Sequence, residues 1–219
     1  MLIEAKELYR FYHSGDEEVK ALRGVDVTVT SGELIALIGP SGSGKSTLLL
    51  CLAGLDEPDG GEVFVIGERM TRRKELDKSE LRSRAIGIML QTNNLFDHLT
   101  VQQNINFAQG IHGNRDGAWA SDIVARLGIA SRAMARPPEL SGGERARASL
   151  AVAMAQQPKI LILDEPTGEV DASAEAVIID MLQQHCKMGG AAIVATHNRA
   201  LSKQATRIVP IQDGRIHHG

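Results

Sequence analysis

Gly39-Pro40-Ser41-Gly42-Ser43-Gly44-Lys45-Ser46-Thr47 is the stretch on which the fold turns. It fits the pattern Gly, four residues, Gly-Lys-Ser/Thr, in which a glycine-rich loop cradles phosphate groups. Its flanks agree. Leu34-Ile35-Ala36-Leu37-Ile38 is a short apolar run of the kind a buried parallel strand shows. Leu48–Ala53 reads as a buried helix with Gly54 as its C-cap. Glycines let backbone N–H groups turn inward around a pyrophosphate, and the helix that follows aims its positive end at the anion. Lys45 suits the β- and γ-phosphates, and the Ser46 hydroxyl suits Mg²⁺. A glycine-rich turn that merely precedes a helix leaves Gly-Lys-Ser-Thr unexplained. The pattern predicts binding of a nucleoside triphosphate.

Composition narrows the rest. A chain of 219 residues suits one α/β domain, or a core with one inserted subdomain. Hydrophobic residues make up 43% and aromatics 3%, which predicts a mostly aliphatic core. A net charge of −3 argues against a general nucleic-acid binder. Cys51 and Cys186 lie far apart in apolar helical contexts, so buried thiols in a reducing compartment are expected rather than a disulfide. No signal-type apolar core opens the chain, and the run near Leu48 falls short of the roughly 20 residues that cross a bilayer. The expectation is a soluble cytosolic protein whose membrane role, if any, comes through a partner.

Residues 2–12 and 19–30 read as strands around the polar turn 13–18, with Val25, Val27 and Val29 alternating with Asp26, Thr28 and Thr30. After a turn at 56–61, residues 62–66 read as a strand and 69–84 as a solvated helix. Ile86–Leu90 is a strand that delivers Gln91. From Thr92 to about Gln157 the texture is helical, with helices at 101–110, 118–127 and after Ser141, separated by loops such as 112–115. Strands at 159–163 and 191–195 flank a helix at 172–188, and strands near 207–211 and 214–216 finish the chain.

Several residues have both a bland and a chemical reading. Asp164-Glu165 ends an aliphatic strand, and in parallel sheets ligands sit outside the carboxyl ends of strands. Beside a phosphate loop, Asp164 is placed to hold Mg²⁺ through its waters and Glu165 to polarise the attacking water. Ser141-Gly142-Gly143-Glu144 is a capping box, but the cap does not explain two glycines that each cost about 1 kcal/mol in a helix. Bare backbone at a helix start suits an approaching anion. His197 at a strand end suits a γ-phosphate contact. Tyr12 offers a ring for an adenine, Gln91 equally well ends a strand, and Asp171 equally well N-caps a helix.

Taken together, Tyr12, GPSGSGKST at 39–47, Gln91, LSGGE at 140–144, ILILDEP at 160–166, Asp171 and His197 resemble the nucleotide-binding subunit of ATP-binding cassette (ABC) transporters. The resemblance spans essentially the whole chain, and LSGGE between the phosphate loop and the DEP strand is its most specific mark. It implies an α/β fold: a P-loop NTPase (RecA-like) core at about 1–91 and 158–219, with an antiparallel β subdomain and an inserted α-helical subdomain at about 92–157, all within one ABC ATPase domain over 1–219. It implies an ATPase whose cofactors are ATP and Mg²⁺ and which forms a head-to-tail homodimer. Each ATP would lie between one copy's residues 39–47 and the other copy's Ser141, Gly142, Gly143 and Glu144. By position, Tyr12 stacks on adenine, Lys45 and Gln91 serve catalysis, and Ser46, Gln91 and Asp164 hold the metal. Glu165 is the general base, His197 contacts the γ-phosphate and Asp171 links the two copies. The partner implied is a transmembrane permease contacted near Gln91, which places the chain on the cytoplasmic face of the inner or plasma membrane; no nucleic acid is implied.

Phe11-Tyr12-His13-Ser14-Gly15 through Val19-Lys20-Ala21-Leu22-Arg23-Gly24-Val25, with Pro138 to Arg145, looks like the lipoprotein-release and macrolide-exporter type. Its cargoes are lipoproteins, lipids, peptides, macrolides or haem. Gly168-Glu169-Val170-Asp171 departs from the group's Gly-Asn-Leu-Asp, and Ala146 and Val152 replace a usual Gln and Arg. A non-transporting cell-division regulator and an importer ATPase share these motifs. A chromosome-structure ATPase would need long heptad stretches, a tandem translation factor a second phosphate loop, and a simple kinase leaves LSGGE unexplained.

Overall fold

In the computed structural model, which describes residues 1–14, 17–92, 94–111, 115–168 and 170–217, the chain opens with two long antiparallel strands, β1 (Ile3–Ser14) and β2 (Glu17–Val29). They run further than the sequence suggests because pairing continues through Tyr12 opposite Val19 and His13 opposite Glu18. The middle of the expected polar turn, Gly15-Asp16, lies outside the described residues. Val25, Val27 and Val29 are all buried, as their alternation requires. Strands β4 (Gly60–Val65) and β5 (Glu68–Arg69) complete an antiparallel sheet in the order β2-β1-β4-β5.

The second sheet carries the chemistry. It contains β3 (Leu34–Ile38), β6 (Ile86–Met89), β7 (Ile160–Asp164), β8 (Ala191–Ala195), β9 (Arg207–Gln212) and β10 (Arg215–Ile216), in the order β10-β9-β3-β8-β7-β6. Every pairing is parallel except β9 with β10. Strands buried on both faces are continuously apolar rather than alternating. Ile35 and Leu37 face one core, with Ile160, Ile162 and Ile193. Leu34 and Ala36 face the other, with Leu161, Leu163 and Val194.

Helix α1 (Lys45–Leu52) lies between the two sheets and buries Leu48, Leu49, Cys51 and Leu52. Its cap is Ala53; Gly54 stands one residue further on, in the left-handed region at φ +65°. There the Leu55 N–H reaches back to the Leu50 carbonyl at 2.9 Å and closes the helix end. Helix α2 (Glu75–Ala85) starts six residues later than the charge pattern suggests, because Arg69 joins β5 and Met70 is fully buried against Gly54.

Between β6 and β7 come α3 (Val101–Gly110), α4 (Gly117–Arg126) and α5 (Gly142–Met154). Thr100 and Asp116 cap the first two of these. Residues 112–114 of the expected intervening loop lie outside the described residues. Helix α6 (Ala172–Lys187) precedes β8 and packs Ile178 and Leu182 into the same core as Ile105, Ile123 and Leu150. A short α7 (Arg199–Gln204), capped by Asn198, was not legible in the sequence; it is about two turns long and only Leu201 is buried. Cys51 and Cys186 are buried free thiols, as expected, and burial pushes them up to about 12 and about 11.

Candidate active site

Because β3, β8, β7 and β6 are parallel neighbours, their carboxyl ends bring residues 39–47, His197, Asp164-Glu165 and Gln91 to one edge of the sheet. The phosphate loop closes tightly. Gly44 sits at φ +104°, where a Cβ would run into the Ala21 carbonyl, and a Cβ on Gly39 would run into that of Ile211. Helix α1 therefore starts with no side-chain cap, and its first N–H groups are left for another acceptor. The Ser43 hydroxyl is buried without a hydrogen-bond partner among the described residues. Lys45 Nζ donates to the carbonyls of Gly39 at 2.8 Å and Pro40 at 2.9 Å. A bare helix start, an orphaned hydroxyl and an ammonium together fit a polyphosphate anion.

Asp164 is 7% exposed, and burial pushes its carboxyl above the usual range while the Ser46 hydroxyl pulls it back. Glu165 occupies the left-handed region at φ +50°, an arrangement that costs a non-glycine residue roughly 1–2 kcal/mol. Its N–H donates to the Ala195 carbonyl at 2.9 Å, which ties the turn to the end of β8. The turn aims one carboxylate oxygen at His197 Nδ1, 2.9 Å away. These residues, Gln91, Tyr12 and the phosphate loop line one cavity of about 640 Å³. Of the sequence-predicted residues outside 140–144 and Asp171, all but the buried Ser43 meet there.

Residues 140–144 do not line that cavity among the described residues. The capping box is present: Ser141 Oγ accepts from the Glu144 N–H at 3.2 Å, and Glu144 accepts from the Ser141 N–H at 2.8 Å. That bond to the Ser141 backbone, with Arg132 and Arg147 nearby, holds the Glu144 carboxyl below its usual range. Gly143 also has a packing reason that the sequence did not disclose. It is buried, and a Cβ there would stand 3.0 Å from the Ala174 methyl and 3.5 Å from Asp171 Oδ2. The second glycine thus lets α5 start against the start of α6. Asp171 does cap α6, accepting from Ser173 and Ala174 at 2.9 Å each, and the Ala174 bond leads the causes that keep its carboxyl below the usual range. A second cavity of about 530 Å³ runs from Gln91, Glu165 and His197 to Gly142, Arg145 and Ala146. Glu169, one of the departures noted above, lies outside the described residues.

Tyr12 is 37% exposed, and its surroundings were missed in the sequence. Its hydroxyl donates to Asp56 Oδ2 at 2.6 Å, and the Arg10 guanidinium covers one face of the ring at 4.6 Å from the centroid. Arg10 and Tyr12 are two apart on β1 and share a face, a signal available from periodicity alone.

A family model described as ABC transporter matches residues 22–168. The chain belongs to the ABC transporter family. Within that family it is 36% identical, over 220 residues, to the lipoprotein-releasing system ATP-binding protein LolD of Idiomarina loihiensis, across 99% of this chain and 96% of that one. It is 35% identical, over 218 residues, to the macrolide export ATP-binding/permease protein MacB of Photorhabdus laumondii subsp. laumondii, across 98% of this chain but 34% of that one, so it spans about a third of that relative. A dimeric structure of a bacterial ABC transporter cassette superposes with a TM-score of 0.93 at 28% identity, across 99% of this chain and 97% of that one. The same cassette, in a post-hydrolysis state bound to ADP and Pi, superposes equally well. This ABC family member is an ATPase with a P-loop NTPase core, and its relatives fall in the lipoprotein-release and macrolide group that its sequence resembles. No helix among the described residues is long and apolar enough to cross a membrane.

Proposed function

We propose that this ABC ATPase is the power subunit of an exporter, a homodimer that closes around two ATP molecules and drives a membrane permease. The observation that carries the reading is a mismatch within one chain. The phosphate loop, Gln91, Asp164, Glu165 and His197 share a cavity that Ser141, Gly142, Gly143 and Asp171 do not line, Gly142 reaching only the second cavity beside Gln91, Glu165 and His197. A head-to-tail second copy would bring its residues 141–144 and Asp171 to this copy's phosphate loop. The chain, on this reading, is one ABC ATPase domain over 1–219, with its helical subdomain at about 92–157.

Within each site, Tyr12 takes the adenine and residues 39–47 hold the triphosphate. Lys45 leaves its bonds to Gly39 and Pro40 for the β- and γ-phosphates. Glu165 accepts the proton of the attacking water, and His197 contacts the γ-phosphate while it orients Glu165. Asp164 and Ser46 line the cavity together, the Ser46 hydroxyl bonded to the Asp164 carboxylate, a pairing that suits a Mg²⁺ that keeps waters and takes one carboxylate and substrate oxygens. Ser46, Gln91 and Asp164 would hold it, and it would neutralise charge on the transferring phosphate. ATP favours the closed dimer, and its loss after hydrolysis reopens it. The export direction and a hydrophobic or amphipathic cargo rest on the likeness to LolD and MacB. The chain would then sit on the cytoplasmic face of the membrane, held by the permease.

The test is affinity purification of the Glu165→Gln chain with ATP from its native membrane, with the partner identified by mass spectrometry. A four-helix permease with a large outer domain is expected. A permease of many helices accompanied by a solute-binding protein would overturn the exporter reading and leave the ATPase intact.

A further inference from the structure

Arg10 is unusually committed for a surface arginine. Its Nε and Nη2 form a two-pronged pair with Asp56, at 2.9 Å each, and its Nη1 reaches Asp59 at 3.2 Å. The same two carboxylates hold the strand end that Arg10 belongs to: Asp56 accepts from the Tyr12 hydroxyl, and Asp59 accepts from the Phe11 N–H at 2.7 Å. The Arg10 side chain is only 21% exposed, and its guanidinium carbon lies over the Tyr12 ring at 4.6 Å from the centroid, within the roughly 6 Å at which a cation–aromatic contact forms. Asp56 follows the C-terminal end of α1, its N–H bonded to the Leu50 carbonyl at 3.2 Å. The network therefore joins the Tyr12 ring to the helix whose other end starts in the phosphate loop. Val19, paired with Tyr12 across the hairpin and 54% exposed, lines the same cavity.

We propose that Arg10 is a positioning residue for the nucleotide: it closes one face of the Tyr12 ring and, through Asp56 and Asp59, holds the ring plane so that a purine stacks only on the opposite face, beside Val19. The inference rests on the reading of Tyr12 as the base platform. An unbraced tyrosine at a strand end loses rotamer freedom when a base stacks on it; a braced one has lost it already, and binding is tighter for that reason. Lysine would not reproduce the effect, because an ammonium neither stacks as a plane nor makes the two-pronged pair.

The experiment compares Arg10→Ala, Arg10→Lys, Tyr12→Ala and the double variant in the full chain. It measures affinity for Mg-ATP and for Mg-tripolyphosphate, with kcat and KM for ATP. Tyr12→Ala is expected to weaken ATP about tenfold or more, the scale of one lost stack. Arg10→Ala should raise Kd and KM for ATP about three- to tenfold, with kcat and tripolyphosphate affinity unchanged, a pattern a merely structural brace would not give. In the Tyr12→Ala background it should have no further effect, and Arg10→Lys should recover little. An equal loss for tripolyphosphate, an undiminished effect without the tyrosine, or no effect at all would overturn the role of Arg10. An unchanged ATP affinity in Tyr12→Ala would instead overturn the platform reading. Should Arg10→Ala melt early, Arg10→Met keeps the stem packed and takes its place; early melting of both would make Arg10 a structural residue and overturn the proposal.

Discussion

Glu165 and His197 meet at 2.9 Å across the ends of two adjacent parallel strands, and the second Glu165 oxygen is buried with no partner among the described residues. One oxygen is thus oriented, and under the proposed mechanism the other accepts the proton of the attacking water. Under the proposed mechanism, Glu165→Gln keeps the phosphate loop intact and removes the base. Turnover should fall by a factor on the order of 10²–10⁴, the usual contribution of a positioned base, while ATP still binds. Light scattering with ATP should show a longer-lived dimer than the native chain forms. Normal turnover would remove Glu165 from that role.

Lys45 tests the other end of the same cavity. Its ammonium is held by two loop carbonyls, one contact part-buried and one exposed, so Lys45→Ala should lower stability by about 1–3 kcal/mol. ATP affinity should fall about 10- to 100-fold, because the lost contact is to a charged group. Calorimetric titration beside a thermal melt separates the two effects.

His185 sets a pH dependence away from the site. Burial holds its imidazole below the ordinary 6.5, Nε2 has no partner among the described residues, and the Gly190 backbone packs over the ring. The unfolded chain therefore takes up a proton more readily than the folded one. Stability should be full above pH 6.5 and fall as pH drops through that value towards the lower folded one. His185→Leu should flatten this part of the pH profile of the melting temperature; an unchanged slope would place its origin elsewhere.

Phe96 and Phe107 meet edge to face, 5.1 Å between centroids, yet are 48% and 53% exposed. They follow Gln91 in the chain, near which the resemblance to the family puts the permease contact, and exposed aromatic pairs of this kind anchor interfaces. The Phe96→Ala/Phe107→Ala variant should hydrolyse ATP within about twofold of the native chain when isolated and lose the co-purifying permease. Retention of the permease at native yield would move the docking surface.

Much of this architecture was legible because it is local. The run 34–38, the helix at 101–110 and the strand at 191–195 each declare themselves by apolar pattern and flanking turns, and the structure reproduces their bounds. The start of α2 was misread because a charged stretch looks helical throughout, whereas Met70 is drawn into the core beneath Gly54 and holds residues 70–74 out of the helix. Helix α7 escaped because two turns around one buried leucine leave no periodicity to read.

The sequence by itself determined the family, the phosphate loop and the identity of the acidic pair, since each is written in contiguous residues whose spacing the chemistry dictates. Only the tertiary structure decided what contiguity cannot express. Parallel pairing brought Gln91, Glu165 and His197, from strands far apart in the chain, to one cavity. Close packing of α5 on α6 gave Gly143 a second reason to be glycine. The fold of β1 over the end of α1 set Arg10 and Asp56 around Tyr12, because a side chain's partners are fixed by which backbones approach, and not by which residues are neighbours in sequence.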